Sequence, residues 1–425
     1  MTGGCHPDLE AWETAVLEAA LKAGSQVLAT ALRGLGCGRR EKPVLCACGR
    51  PMQSVGLRTK AATTLLGAVP FERSLYTCPV CEDAACFPGD RLLGIEHTSF
   101  SPGVRRLMAR AGSRTPFGEA HEDLKVYAHL DVEARDIERI AEQVGHHIAL
   151  WRARQDQDLL KGRLVPSSSL PIPILYISFD GTCIPMRKAE LEGRRGKQPD
   201  GKAKGREVKL GCVFTQTQLD EQGRPLRDPD STSYVGAIEA SGPFGERMYA
   251  EALRRGLLHA ARVVVLTDGA KYNKSIAQLH FSNAIHIVDL YHAREHLDAL
   301  IKLLAPSARL PTRQTRWHTL LDNGNIPKLT AEAERLLPAS ARHKKLAVKE
   351  IAFFRANTLQ MRYAYFREQG FFVGSGVIEA GCRTVIGSRL KQSGMFWSLR
   401  GANAIIESRC CQMSGRFEDF WESVA

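Results

Sequence analysis

Two aspartates close apolar runs in this sequence: Asp180 in LYISFDGTCIP, residues 175–185, and Asp268 in ARVVVLTDGA, residues 261–270. Leu175, Tyr176, Ile177 and Phe179 suit a buried strand, and Val263 to Leu266 repeat the pattern, so each carboxylate falls where a strand leaves the core. A single aspartate there is also what ordinary turn chemistry supplies. Two that meet at neighbouring strand ends repel unless a cation lies between them. Mg²⁺ suits that place, because it takes oxygen ligands and joins one or two carboxylates to phosphate oxygens. GSGVIEAGCRTVIGSRLKQSGMFWS, residues 374–398, offers a third acid, Glu379, early in a helix with Ser375 as an available N-cap. Ile378, Val385, Ile386 and Leu390 would pack that helix, leaving Glu379, Arg383, Arg389 and Lys391 for ions and phosphates. Taken alone, Glu379 is also an ordinary surface glutamate.

The elements that must position these acids alternate over residues 171–296. After the strand carrying Asp180, VKLGCVFTQT (208–217) and TSYVGAIE (232–239) read as two further strands, followed by an amphipathic helix over 244–259. The strand carrying Asp268 comes next, and NAIHIVDLYHAREHL (283–297) gives a fifth strand running into a helix. Three strands, helix, strand, helix, strand is the order of an RNase H-like sheet, an α/β fold in which the first and fourth strands lie side by side. That adjacency would bring Asp180 and Asp268 together. Between the first two strands, residues 186–209 hold nine Lys and Arg against four acids. Arg194, Arg195, Lys197, Lys202 and Lys204 of this segment are expected to follow a phosphate backbone, with strong salt dependence; a solubilising hairpin tip is the other reading.

The rest of the chain supplies context. Its 425 residues, 44% hydrophobic and 24% charged, have room for two or three domains and are unlike a disordered tail or a fibre. The formal charge of +12 and pI near 9.2 favour a polyanionic partner, although a merely soluble protein or a membrane-surface binder is basic too. The first twenty residues are acidic where a signal peptide is basic, and no stretch is expected to reach membrane-span length, so the chain is expected to be cytosolic. Twelve unevenly placed cysteines then suggest metal ligation and buried thiols. Cys46 and Cys48 form one tight pair, Cys78 and Cys81 a second, and a hairpin between them would gather all four around one Zn²⁺ as in a zinc ribbon. Cys86 is a substitute ligand, and unligated thiols are the alternative. Residues 116–145 read as two short helices with a turn near Leu130 and Val132. A helix-turn-helix would present Arg135 and Arg139 to a DNA groove, but Glu133, Asp136, Glu138 and Glu142 compete for that surface, and a plain helical hairpin fits as well.

The strings SFDGT, LTDGA, DLYHAREHL, GSGVIEAGCR and RLKQSGMFWS, with Cys-x-Cys-Gly and Cys-Pro-x-Cys, resemble the ISKra-type insertion-sequence transposases, relatives of the Mutator-like DDE transposases. The resemblance covers most of the chain. It implies that Asp180, Asp268 and Glu379 are DDE acids holding Mg²⁺ or Mn²⁺, and that Asp289 and His292 match a D-x-x-H element where Mutator relatives carry Cys-x-x-His. The implied activity is metal-dependent DNA strand cleavage and strand transfer of an insertion sequence. Double-stranded DNA, both transposon ends and target, would be the partner, with no membrane and with a homo-oligomer on the DNA; the location would be cytoplasmic, nucleoid-associated when bound. The expected organisation is N-terminal helices (1–40), a zinc-ribbon-like module (41–100), a helix-turn-helix-like region (101–165), an RNase H-like core (171–296), a helical insertion (297–370) and a final helical part of the core with Glu379 (371–425). The basic stretch RHKKLAVKE (342–350) falls in the insertion, as a DNA contact or a solvated helix face. Competing readings are a non-catalytic DNA-binding protein on a retired nuclease core, and an RNase H-like nuclease without strand transfer.

Overall fold

The computed structural model describes residues 8–40, 42–81, 84–163, 171–196, 201, 203–304 and 310–424 of a mixed α/β chain. Its contacts divide it into two units, 1–141 and 142–425.

The first unit opens with α1 (Leu9–Gly34), capped by the Asp8 carboxylate, which accepts from the Ala11 N–H at 3.2 Å. Gly24 does not interrupt it, so there is one leading helix. Contrary to expectation, α1 is long and apolar enough to span a membrane by length and composition, with a mean hydropathy of 1.2 over its best window. The reason is its content of alanine, leucine and valine: only Glu18 and Lys22 are charged between Ala15 and Leu32. Strands β1 (Gln53–Thr64) and β2 (Gly67–Thr77) form an antiparallel hairpin, turning at Gly67 with φ +98°, and β3 (Ala85–Cys86) pairs with β2. The hairpin buries Ala62, Val69, Phe71 and Tyr76; Ala62 and Phe71 cluster with Ile95, with Leu32 and Leu93 against them. Helices α2 (Pro88–Leu92), α3 (Pro102–Arg114) and α4 (Phe117–Ala128) follow, and α5 (Ala134–Leu160) runs on from Glu142 in the second unit. The turn between α4 and α5 begins at His129 in the left-handed region, φ 54°.

The second unit is built on strands β4 (Ile172–Pro185), β5 (Gly205–Gln216), β8 (Ser233–Ala237), β9 (Ala260–Thr267) and β10 (Ile285–Val288); β6 (Gln218–Leu219) and β7 (Pro225–Leu226) make a separate small hairpin. The sheet order is β10-β9-β4-β5-β8. β4, β5 and β8 are antiparallel neighbours, β9 lies parallel to β4, and β10 parallel to β9. The parallel steps need crossovers, supplied by α6 (Ser241–Arg254) and α7 (Lys271–His280). The first of these replaces the helix expected over 244–259, whose last turn is a separate 3₁₀ segment, Leu257–His259, beyond Gly256 at φ 91°.

Alternation along β4 sends Leu175, Ile177 and Phe179 to one face, where they pack with Val213, Val235, Phe244, Met248 and Ile276. The other face carries Tyr176, stacked on Phe214 with ring centroids 4.8 Å apart, and two turns of pleat farther on, Asp180. Helix α8 (Leu290–Leu303) follows β10, and α9 (Pro311–Asp322), α10 (Ile326–Glu334), α11 (Ala341–Ala356) and α12 (Tyr363–Glu368) come next. Then α13 (Gly376–Gly381) passes through a π-helical turn, Cys382–Gly387, into α14 (Ser388–Leu390), before α15 (Leu399–Met413) and α16 (Phe417–Val424). A Cβ on Gly381 would come within 2.7 Å of the Tyr234 ring, so this glycine lets α13 lie close on the face that carries Asp180.

Helices α5 and α15 approach more tightly still. A Cβ on Gly145 would sit 2.6 Å from the carbonyl carbon of Ala404, backbone that cannot rotate away. Beside this crossing, Arg152 clasps the Glu407 carboxylate at 2.6 and 3.0 Å, and Arg247 reaches the same group at 2.6 Å. Gly145→Ala should therefore force the helices apart and lower unfolding free energy by about 3 kcal/mol, the upper part of the range for overpacking. Urea denaturation of the purified variant checks this; an unchanged midpoint would mean the crossing is looser than described.

Candidate active site

β4 and β9 hold Asp180 and Asp268 in register. The last paired residues are Ser178 and Leu266, and each aspartate stands two residues farther along its chain. Both residues therefore lie just past the end of the parallel ladder. The strand does not stop at Asp180 as expected: β4 runs on to Pro185, paired with β5 throughout. What ends near Asp180 is its other neighbour, β9, at Thr267. One edge of β4 is thereby left open beside the carboxylate.

Local hydrogen bonds fix both acids. Asp180 Oδ1 accepts from the Gly181 N–H at 2.6 Å; Asp268 Oδ1 accepts from the Ala270 N–H at 2.8 Å and from Asn273 Nδ2 at 2.7 Å. Burial pushes the Asp180 carboxyl above its ordinary value, and the charges of Asp268 and Glu379 push the same way; the Gly181 N–H and the His292 cation oppose them. Asp180, Asp268, Glu379 and His292 therefore share one electrostatic neighbourhood. A net excess of acid there is what a bound cation would relieve.

Glu379 is aimed by a relay. Ser375 has no hydrogen bond from its side chain to the helix backbone and so is not the side-chain cap expected; its Oγ donates to Glu379 Oε1 at 2.8 Å. The Ser375 N–H in turn donates to Asp289 Oδ2. Asp289, buried just past β10, accepts from the His292 N–H at 2.7 Å and lies 3.3 Å from His292 Nδ1. The Asp289 hydrogen bond pushes His292 up to about 9, against the effect of burial, so the imidazole is a cation at neutral pH. Burial raises the Asp289 carboxyl, but the bonds from His292 and Ser375 outweigh it and hold it below its ordinary value. Donor atoms of Asp289, His292 and Glu379 lie within 4.8 Å of one another. As arranged they form an ion pair beside a positioned glutamate, with both Asp289 oxygens already accepting hydrogen bonds. Among the described residues, Asp180 and Asp268 belong to no three-donor group that tight.

Several neighbours were not legible beforehand. Tyr272, on the first turn of α7, has its phenol raised by burial and then by the charges of Glu207, Asp268 and Asp180. A Cβ on Gly181 would meet Glu207 and the Tyr272 hydroxyl, which explains the glycine after Asp180. Lys209 bonds Glu207 at 2.9 Å and lies 5.4 Å from the Tyr272 ring centroid. The one sequence signal was Tyr272 itself, four residues after Asp268.

Of the residues expected to contact DNA, Arg135, Arg194, Arg195, Lys204, Arg383 and Lys391 are exposed, and Lys391 Nζ is bonded to Thr182 Oγ1 beside Asp180. Lys197 and Lys202 lie outside the described residues. Arg139 is exposed but engaged at 2.7 Å by Asp136, one of the competing acids. Arg389 is a correction: it is fully buried, with its guanidinium 5.0 Å from the Trp397 ring centroid, so it cannot meet a phosphate.

In the first unit, Sγ atoms of Cys46, Cys48, Cys78 and Cys81 lie within 4.8 Å of one another, with Cys48 and Cys78 3.7 Å apart. A zinc tetrahedron with bonds of about 2.3 Å has edges of about 3.8 Å, so the four thiols could bind one zinc ion. The backbone prepares them: the N–H groups of Val80 and Cys81 hold the Cys78 thiol down to about 7. Cys86 is not a substitute ligand; its thiol faces the Met52 sulfur at 3.7 Å.

Over 379 residues the chain is 23% identical to a Streptococcus gallolyticus protein described as "UPF0236 protein in vanSb 3'region", a match spanning 86% of this chain and 75% of that one. No family model matches. Among solved structures it is paired with the Drosophila P element transposase strand transfer complex, at 9% identity and a TM-score of 0.21 over 63% of this chain and 70% of that one; a likeness so slight carries no weight.

Proposed function

We propose that this chain is a DDE transposase, with an RNase H-like core that cuts and joins double-stranded DNA at the ends of an insertion sequence. The observation that supports the reading is the register of β4 and β9, which leaves Asp180 and Asp268 at matching positions just past the parallel ladder, with the charges of Asp268 and Glu379 both acting on Asp180. The sheet order with a three-strand antiparallel meander and two parallel strands supports the RNase H-like assignment.

Asp180, Asp268 and Glu379 would hold Mg²⁺ or Mn²⁺, which when bound would acidify the attacking hydroxyl and offset charge on the phosphodiester. Asp289, His292 and Ser375 act behind Glu379, fixing where its carboxylate points. Lys391, tied to Thr182, and exposed Arg383 would face the phosphate backbone. Each step exchanges one P–O bond for another: water releases a 3′-hydroxyl, and that hydroxyl then attacks a target phosphorus. The Cys46, Cys48, Cys78 and Cys81 module with bound zinc, and α4–α5 with Arg135, would position the DNA, two copies of the chain holding two ends in the nucleoid.

Incubating the full chain and Mg²⁺ with a labelled duplex from the flanks of its gene, beside a supercoiled plasmid, should yield products in which label is joined covalently to plasmid. Nicks without joined products would instead favour a nuclease, and retention without either a DNA-binding protein.

A further inference from the structure

Beyond Asp180 the same strand leads to an apolar cavity of about 1210 Å³, lined by Met186, Arg187, Lys188, Leu191, Arg194, Arg195, Lys204 and Phe396, with Glu192 as its acid. Phe396 is 62% exposed, and the adjoining Trp397 explains how it is held there. Trp397 is buried: its Nε1 donates to the Leu390 carbonyl at 3.1 Å, its N–H to Pro185 O at 3.3 Å, and its carbonyl accepts from the Arg187 N–H at 2.9 Å. With Trp397 so fixed, Phe396 is presented outward on a rigid base. Among the described residues, Lys188, Arg194, Arg195 and Lys204 make no ion pair, so the rim is cationic around an aromatic face.

An aromatic plate beside exposed cations, at a cavity wall that is mostly carbon, matches a nucleotide more closely than it matches an apolar peptide. Bases stack on aromatic rings whatever their sequence, while the phosphates on either side need positive charge. A paired base has no open face to offer; an unpaired one does. We propose that this cavity takes an unpaired nucleotide of bound DNA, its base stacked on Phe396 and its flanking phosphates met by Arg194, Arg195 and Lys204. The proposal rests on the DNA-strand reading of the neighbouring acids and adds a requirement for local unpairing near the cut.

The test uses the full chain carrying Asp180→Asn, without divalent metal, so that no cleavage enters the result. The probes are a short duplex with one unpaired 2-aminopurine nucleotide and the same duplex fully paired. Binding of the unpaired probe should be about tenfold tighter and should quench its fluorescence, within the range for one base–aromatic stack. Phe396→Ala should abolish both the preference and the quenching while leaving the paired duplex bound as before, and Phe396→Trp should preserve them. Equal binding of the two probes, or a preference that survives Phe396→Ala, would overturn the proposal. Cleavage by the parent chain without this preference would overturn the nucleotide site alone and leave the transposase reading standing.

Discussion

Stripping the protein of zinc should unfold its β1–β2 hairpin while β4, β5 and β9 stay folded. The hairpin's buried cluster, Ala62, Val69, Phe71 and Tyr76 with Ile95 beside it, is too small to offset the entropy of ordering some forty residues of chain. Four cysteine sulfurs gathered within 4.8 Å supply what the cluster lacks, since structural zinc binding contributes about 10–16 kcal/mol in small modules near neutral pH. The protein should accordingly purify with one equivalent of zinc, and Cys78→Ser should lose most of it. Hydrogen exchange followed by peptide would then show β1 and β2 unprotected in the variant or after chelation, with β4 and β9 as slow as in the parent. Protein free of zinc with a fully protected hairpin would contradict this.

The sequence disclosed most about the parts that repeat a simple period. Alternating or continuous apolar runs gave the strands of the second unit close to their observed bounds, and the two strings ending in Asp-Gly pointed to Asp180 and Asp268 before any pairing was known. The extension of β4 to Pro185 was hidden because Gly181, a poor strand former, interrupts the apolar run; pairing of Gly181, Thr182 and Cys183 with Lys209, Val208 and Glu207 carries the strand on. Ser375 looked like a helix cap since it precedes α13, but its hydroxyl found a carboxylate four residues on, a choice that depends on Asp289 occupying its N–H from far along the chain. Arg389 looked like a phosphate ligand because arginine is seldom fully buried; Trp397, folded back over it, makes the exception. The Arg152–Glu407–Arg247 clasp joins residues more than a hundred positions apart, where no local pattern can signal it.

The second large effect concerns the acids. Asp180→Asn, Asp268→Asn and Glu379→Gln should each lower metal-dependent strand cleavage by about a thousandfold or more, since each removes a charged ligand while keeping its shape. Binding to the same DNA should persist. Stability should move the other way for Asp180. Its carboxyl is raised in the folded protein, chiefly by burial, so the folded state binds more protons than the unfolded one just above the ordinary value near 3.8. The penalty for the charged form is therefore present at neutral pH and fades as pH falls through the raised value toward 3.8. Asp180→Asn, with no charge to bury, should melt higher than the metal-free parent at pH 7, and the difference should vanish in acid.

The most direct measurement is single-turnover cleavage of a labelled transposon-end duplex in Mg²⁺ and in Mn²⁺, by the parent and by Asp180→Asn at equal, saturating protein. The account predicts metal-dependent cutting by the parent and none above background by the variant, with both equally bound to the DNA. Equal cutting by the two proteins would take Asp180 out of the active site and contradict the DDE mechanism.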